Sequence, residues 1–157
     1  MRFLNIILIS TFFLLLSACS STAQKNHVNK TASSPDRSKV VKTALNQVGR
    51  PYRYGGNSPN RGFDCSGLVH FSHKSAGIDV PRSTKLQLRQ LHRVRYSEIK
   101  PGDLLFYKIN NKPSHVGIYI GNGKFVHAPS SGKRVAIDRM DSQYWRKRLY
   151  STGTYLH

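Results

Sequence analysis

Three side chains of this 157-residue chain have the types needed for nucleophilic catalysis: Cys65, His115 and His127. A thiol becomes an effective nucleophile when an adjacent imidazole takes its proton. That imidazole in turn needs its other nitrogen held, so that the correct nitrogen meets the sulfur. The same residue types also have plainer uses. An inward-facing cysteine serves as a small core residue, and histidines on a strand pair serve as packing or surface groups. Position decides between these roles, so the elements carrying the three residues come next.

From Asp64 the pattern is helical and ends near Gly77. Cys65, Leu68, Val69, Ser72 and Ala76 share one face at helical spacing. Cys65 therefore falls in the first turn, pointing inward. A helix N-terminus carries about half a positive charge and lowers a thiol's pKa. Val116, Ile118 and Ile120 alternate with His115, Gly117 and Tyr119, the period of a strand. Gly121-Asn122-Gly123 turns the chain, and Phe125 to Ala128 runs back. A three-residue loop with Gly123 left-handed puts His127 opposite Gly117, with space between the side chains. His115 is then on the same face, one diagonal step or about 7–8 Å away. A two-residue Asn122-Gly123 turn would put the histidines on opposite faces. The Val116/Ile118/Ile120 face supplies one core, and the histidine face is expected to receive the Cys65 helix.

The remaining elements follow from local signals. Ser34-Pro35-Asp36 starts a helix with the stripe Val40, Val41, Ala44, Leu45 and Val48, stopped by Gly49 and Pro51. Pro51 to Gly62 is rich in Gly, Pro and Asn and is expected to be loop. Thr84 and Gln87 have capping-box spacing for a short helix through Leu91. Leu104 to Tyr107 and Arg134 to Asp138 are expected strands. A short helix is expected around Ser142 to Lys147, and a last strand between Leu149 and Leu156.

The formal charge is +18, from 25 Lys+Arg against 7 Asp+Glu, and only two residues are cysteine. Two cysteines exclude a disulfide-dense scaffold and a four-cysteine zinc site. The charge invites a nucleic-acid reading, which the N-terminus disfavours. Met1-Arg2 followed by an apolar run to Leu16 suits a secretory signal and is short of the roughly 20 residues of a membrane span. Leu16-Ser17-Ala18-Cys19 resembles the lipobox of bacterial lipoproteins. That resemblance implies cleavage before Cys19 and lipid on its sulfur, with Ser20 favouring the outer membrane. The expected organisation is a signal peptide over residues 1–18, a lipid-anchored tether over 19–34, and one domain over 35–157. Cys65 is then the sole remaining thiol, in a compartment that oxidises thiols. It is core filler, an intermolecular link or a nucleophile.

Phe63-Asp64-Cys65-Ser66-Gly67-Leu68-Val69, Ser114-His115-Val116-Gly117-Ile118-Tyr119 and Phe125-Val126-His127-Ala128 resemble the NlpC family of bacterial cell-wall cysteine peptidases. Pro51 to Gly56, Val80-Pro81-Arg82-Ser83 and Pro101 to Phe106 match as well. The resemblance implies an α+β, papain-like fold, with the nucleophile helix packed on an antiparallel sheet. It implies hydrolysis of peptide bonds in peptidoglycan stems or cross-links, with Cys65 as nucleophile, His115 as base and His127 as orienting group. The Tyr52 hydroxyl and the Cys65 N–H are implied oxyanion donors, and Asp64, Ser66 and Arg82 are implied to line the cleft. The segment Asn57-Ser58-Pro59-Asn60-Arg61 is longer than the family pattern leads one to expect. The competing readings are a papain-like acyltransferase or lipid hydrolase, and a non-catalytic wall-binding lipoprotein. No cofactor, metal or nucleic acid is expected. His70 and His73 share a helix face without a third ligand and are expected on a solvated surface. The expected partners are peptidoglycan and, through Cys19, the outer membrane facing the periplasm, with the protein a monomer.

Overall fold

The computed structural model describes residues 35–130 and 132–156. The expected signal segment 1–18, the lipid site Cys19 and the tether 19–34 lie outside the described residues. In chain order the elements are α1 (Pro35–Leu45), β1 (Asn57–Ser58), β2 (Gly62–Phe63), α2 (Cys65–Ser75), α3 (Thr84–Gln90) and β3 (His92–Arg93). They continue as β4 (Leu104–Ile109), β5 (Lys112–Gly121), β6 (Lys124–His127), β7 (Ala136–Arg139), α4 (Gln143–Arg146) and β8 (Leu149–Thr154). Strands β3-β8-β4-β5-β6-β7 form one antiparallel sheet in that spatial order, and β1 and β2 form a separate small hairpin. The α+β expectation holds. The Pro51–Gly62 loop is more ordered than expected, because Asn57 pairs with Phe63 and Ser58 with Gly62.

Alternation along the strands gives the sheet two buried faces. One core joins Val40 and Ala44 of α1 and Leu68 and Val69 of α2 to Leu104, Phe106, Val116, Ile118 and Val126. The opposite face holds Leu105, Tyr107, Phe125, Met140 and Trp145. His115 and His127 belong to this second face, beside the rings of Tyr107, Phe125 and Trp145. The expectation that the histidine face receives the Cys65 helix is therefore corrected. The apolar stripe of α2 finds its apolar partner on the Val116/Ile118 face, and aromatic rings cover the histidines.

The first helical stripe is also narrower than its sequence pattern. Val40 and Ala44 are fully buried, while Leu45 and Val48 are exposed, because α1 ends at Leu45. Arg37 anchors this helix from within, pairing with the buried Asp103 at 2.6 Å. Its guanidinium also donates to the Pro101 carbonyl.

The β5–β6 turn reaches the expected register by a different device. Asn122 and Gly123 both have positive φ, 52° and 67°, as in a two-residue type I′ turn, with Gly121 paired to Lys124. A bulge between Tyr119 and Gly121 inserts one residue into β5 and restores the pairing Ile118–Val126 and Tyr119–Phe125. One further step along that register sets His127 opposite Gly117, so the histidines share a face after all. The space beside Gly117 is not left open: a Cβ there would lie 2.4 Å from the Phe125 ring.

Candidate active site

Cys65 is the first residue of α2, and Asp64 is its N-cap. The Asp64 carboxylate accepts from the Gly67 N–H at 2.6 Å and from the Gly55 N–H at 2.9 Å. Arg82 forks onto both of its oxygens at 2.9 and 2.8 Å and also donates to Ser66 Oγ and to the Gly56 carbonyl. Gly67 permits this convergence, since a Cβ there would sit 2.0 Å from the Gly56 carbonyl oxygen. Three of the residues expected to line a cleft thus form the clamp that fixes the start of the cysteine helix. They also reach a cleft of about 490 Å³, which Tyr52, Tyr54, Cys65, Thr84 and Ser114 line with them.

The thiol meets β5 edge-on. Cys65 Sγ lies 3.9 Å from the Ser114 carbonyl and 3.6 Å from Thr84 Oγ1. The expected capping box at Thr84 is overturned here. Ser83 caps α3 by accepting from the Leu86 N–H, which leaves the Thr84 hydroxyl for the sulfur. Gln87 is fully buried and uses its amide on the Ser66 and Pro81 carbonyls, so it cannot reach back to a cap. It ties α3 to the first turn of α2.

His115, between the two β5 residues whose backbone borders the sulfur, turns its ring to the other face. Its Nε2 is 2.9 Å from His127 Nδ1, and the rings meet edge to face. His127 Nε2 is 3.0 Å from Asp138 Oδ2, and Trp145 Nε1 donates to that same oxygen at 2.8 Å. Trp145 also stacks on His115, with ring centroids 5.4 Å apart. The structure thus joins His115 to His127, sets Tyr52 in the cleft beside Cys65, and places the thiol against the strand backbone that carries His115. It adds Asp138 and Trp145, which local pattern did not single out, and moves Thr84 from an expected helix cap to a partner of the sulfur. A second hollow of about 720 Å³ opens beside His115, lined among others by Lys133, Arg139, Tyr144 and Trp145.

Burial sets the electrostatics. It pushes the Cys65 thiol up, with the neighbouring Asp64 charge adding to the rise. The Thr84 hydroxyl and the backbone of Val116 and Ser66 work the other way. The expected lowering by the helix N-terminus is thus outweighed by desolvation. Burial first and His127 second bring His115 down to about 3. His127 is also lowered by burial, and Asp138 opposes that shift. Tyr52 is raised, by burial and then by Cys65 and Asp64.

The expectation of a solvated His70/His73 face is corrected. His73 is fully buried with Nδ1 against the Val69 carbonyl at 2.9 Å, and burial lowers it to about 4. His70 Nδ1 lies 2.7 Å from the Val80 carbonyl. Each ring thus has a structural partner in the backbone.

A profile of the NlpC/P60 family matches residues 49–154, which takes in every residue of the site. The chain belongs to the NlpC/P60 family. Among the family's curated members, it is 38% identical over 135 residues to the murein DD-endopeptidase MepH of Escherichia coli K12, covering 78% of this chain and 50% of that protein. It is 41% identical over 117 residues to the bifunctional muramidase/DL-endopeptidase CwlT of Bacillus subtilis, covering 73% of this chain and 35% of that one. The chain thus spans about half the length, or less, of these curated relatives. Among solved structures, an NLP/P60 lipoprotein-like protein of Staphylococcus aureus superposes with a TM-score of 0.72 at 30% identity, covering 80% of this chain and 43% of that one. The NlpC/p60 domain of the peptidoglycan hydrolase SagA gives a TM-score of 0.65 at 30% identity, covering 75% of this chain and 97% of that domain. These NlpC/P60 structures share the α+β architecture described above.

Proposed function

We propose that this protein is a cysteine endopeptidase that hydrolyses peptide bonds in peptidoglycan stem peptides or cross-links. The observation that carries the reading is the placement of Cys65 Sγ at the N-terminus of α2, against the backbone on either side of His115, whose far nitrogen is held by His127. Relatives named as a murein DD-endopeptidase, a muramidase/DL-endopeptidase and a peptidoglycan hydrolase support the substrate class.

In this mechanism His115 takes the Cys65 proton through Nδ1, the nitrogen that His127 does not occupy. The sulfur bonds to the scissile carbonyl carbon, and the oxyanion is held by the Cys65 N–H and the Tyr52 hydroxyl. His115 then returns the proton to the leaving amine as the C–N bond breaks, leaving a thioester. A water, deprotonated by His115, hydrolyses that thioester and restores the thiol. Asp64, Ser66 and Arg82 hold the helix start, and their cleft-facing atoms border the bound peptide.

The test is incubation with purified muropeptides, with products read by mass spectrometry. Peptide-bond cleavage that disappears in Cys65→Ala is the expected result. Intact muropeptides, or cleavage persisting in that variant, would overturn the reading, and ester cleavage alone would favour a lipid hydrolase or acyltransferase. The same reading includes a monomer anchored by lipid on Cys19 in the outer membrane, facing the periplasm. Its check is the mass of the N-terminal peptide after export: a peptide beginning at Cys19 without lipid excludes the anchor.

A further inference from the structure

Asp138 stands at the far end of the row that begins at His115, on β7, a strand the proposed mechanism does not otherwise use. The distances run 2.9 Å from His115 Nε2 to His127 Nδ1, then 3.0 Å from His127 Nε2 to Asp138 Oδ2. Two imidazoles in contact can share their proton with either polarity. In one arrangement His127 donates from Nδ1, and His115 must accept at Nε2. The His115 proton then sits on Nδ1, and the ring offers no base to the thiol. In the other arrangement His115 donates from Nε2, and its Nδ1 is bare. Nothing in the histidine pair itself chooses between them.

We propose that Asp138 makes that choice and is a positioning residue for the Cys65–His115 pair. A carboxylate can only accept, so His127 carries its proton on Nε2. Its Nδ1 is then bare and must accept, which forces the proton of His115 onto Nε2 and leaves Nδ1 free as the base. Trp145 fixes the carboxylate in this role, since its indole N–H donates to the same Oδ2 at 2.8 Å while its ring stacks on His115. Asp138 is 44% exposed on its side chain, so water screens its charge on one side, and its effect is chiefly orientational. The charged and titratable groups facing His127 are His115 on β5, Asp138 on β7 and Lys133 before β7. Tyr107, Phe125 and Trp145 add rings to its surroundings. Lys133 opposes protonation of His127 and Asp138 favours it.

The inference rests on the endopeptidase reading for its catalytic consequence, but the proton positions can be read without turnover. The experiment records imidazole nitrogen NMR spectra of the ¹⁵N-labelled protein and of Asp138→Asn and Asp138→Ala, alongside thermal melts and muropeptide kinetics. In the parent protein both rings are expected to be bare at Nδ1 and protonated at Nε2. In Asp138→Ala the His127 ring is expected to populate both tautomers and to titrate lower than in the parent. With that change kcat is expected to fall about 10- to 100-fold, the scale for partners that orient a functional histidine, while KM stays within about twofold. In a His127→Gln background the Asp138 change is expected to add little, because Asp138 acts through His127. Unchanged tautomers in folded Asp138→Ala, or losses that simply add in the double variant, would overturn the proposal. If Asp138→Ala does not melt cooperatively, Asp138→Leu, close in size and without an acceptor, carries the same readouts, since Asp138→Asn can still accept from His127. A parent protein without peptidase activity would defeat the endopeptidase reading, and the NMR result would still decide the role of Asp138.

Discussion

Burial opposes ionisation at both members of the Cys65–His115 pair, holding the thiol protonated and the imidazole neutral in the resting protein. A nucleophile stored as a thiol needs its base neutral, and His115 keeps that form down to about pH 3. The acid limb of kcat/KM is therefore expected well below the ordinary imidazole value of about 6.5. A pH–rate profile between 4 and 8 on a soluble muropeptide would check this, and a limb at 6.5 or above would contradict it. The attacking residue could be read from sequence because its signals are local: a cap, a helical stripe and an odd thiol. Asp138 could not, because an aspartate on an expected strand has no local mark of its purpose. Its role depends on β7 pairing with β6 and on α4 bringing Trp145 to the same oxygen. The direction of the thiol shift was missed for a related reason. Helix position can be read from spacing, whereas the desolvation that outweighs it comes from tertiary packing, which spacing does not show.

Asp64 holds together the element that presents the thiol, since its two oxygens take the α2 cap bond, a loop N–H and the Arg82 fork. Asp64→Ala is expected to cost about 2 kcal/mol, the upper part of the range for losing an N-cap. Asp64→Asn keeps an acceptor for Gly67 and is expected to recover about half of that loss. Urea unfolding of both variants measures this, and equal stability of Ala and parent would show that the cap bond is dispensable. At this scale the sequence was legible wherever one segment decides its own shape. The helix starting after Asp64 and the β5 alternation are such cases. It misled where two local solutions compete. Ser83 and Thr84 both offer a capping hydroxyl, and the sulfur's position selects between them. Likewise a two-residue turn would have split the histidines had a bulge not shifted β5 by one residue. The sheet face chosen by α2 was a third such case. Both faces of β5 are buried, so alternation alone did not say which one the helix covers.

The whole molecule combines a very basic surface with an interior that excludes positive charge from three buried histidines, His73, His115 and His127, each with its pKa lowered. His73 makes the consequence measurable, because it is fully buried on α2 and takes no part in the proposed chemistry. Its pKa is about 4 when folded, against about 6.5 for an unfolded chain. Between those values the unfolded state binds the extra proton, so stability is full above about pH 6.5 and declines as pH falls toward 4. Below that, both states are protonated and this contribution changes no further. From pH 7 to pH 5 His73 alone is expected to remove about 2 kcal/mol, from 1.36 kcal/mol per pKa unit. His73→Phe preserves an aromatic ring edge-on to Tyr155, whose ring centroid lies 6.4 Å away, and removes the titration. Denaturant unfolding at the two pH values should therefore show a drop smaller by about 2 kcal/mol in the variant than in the parent. His115 and His127 remain in both proteins, so their share of the acid sensitivity cancels in that comparison. An identical drop in the two proteins would mean that His73 takes up its proton in the folded state as readily as in the unfolded chain.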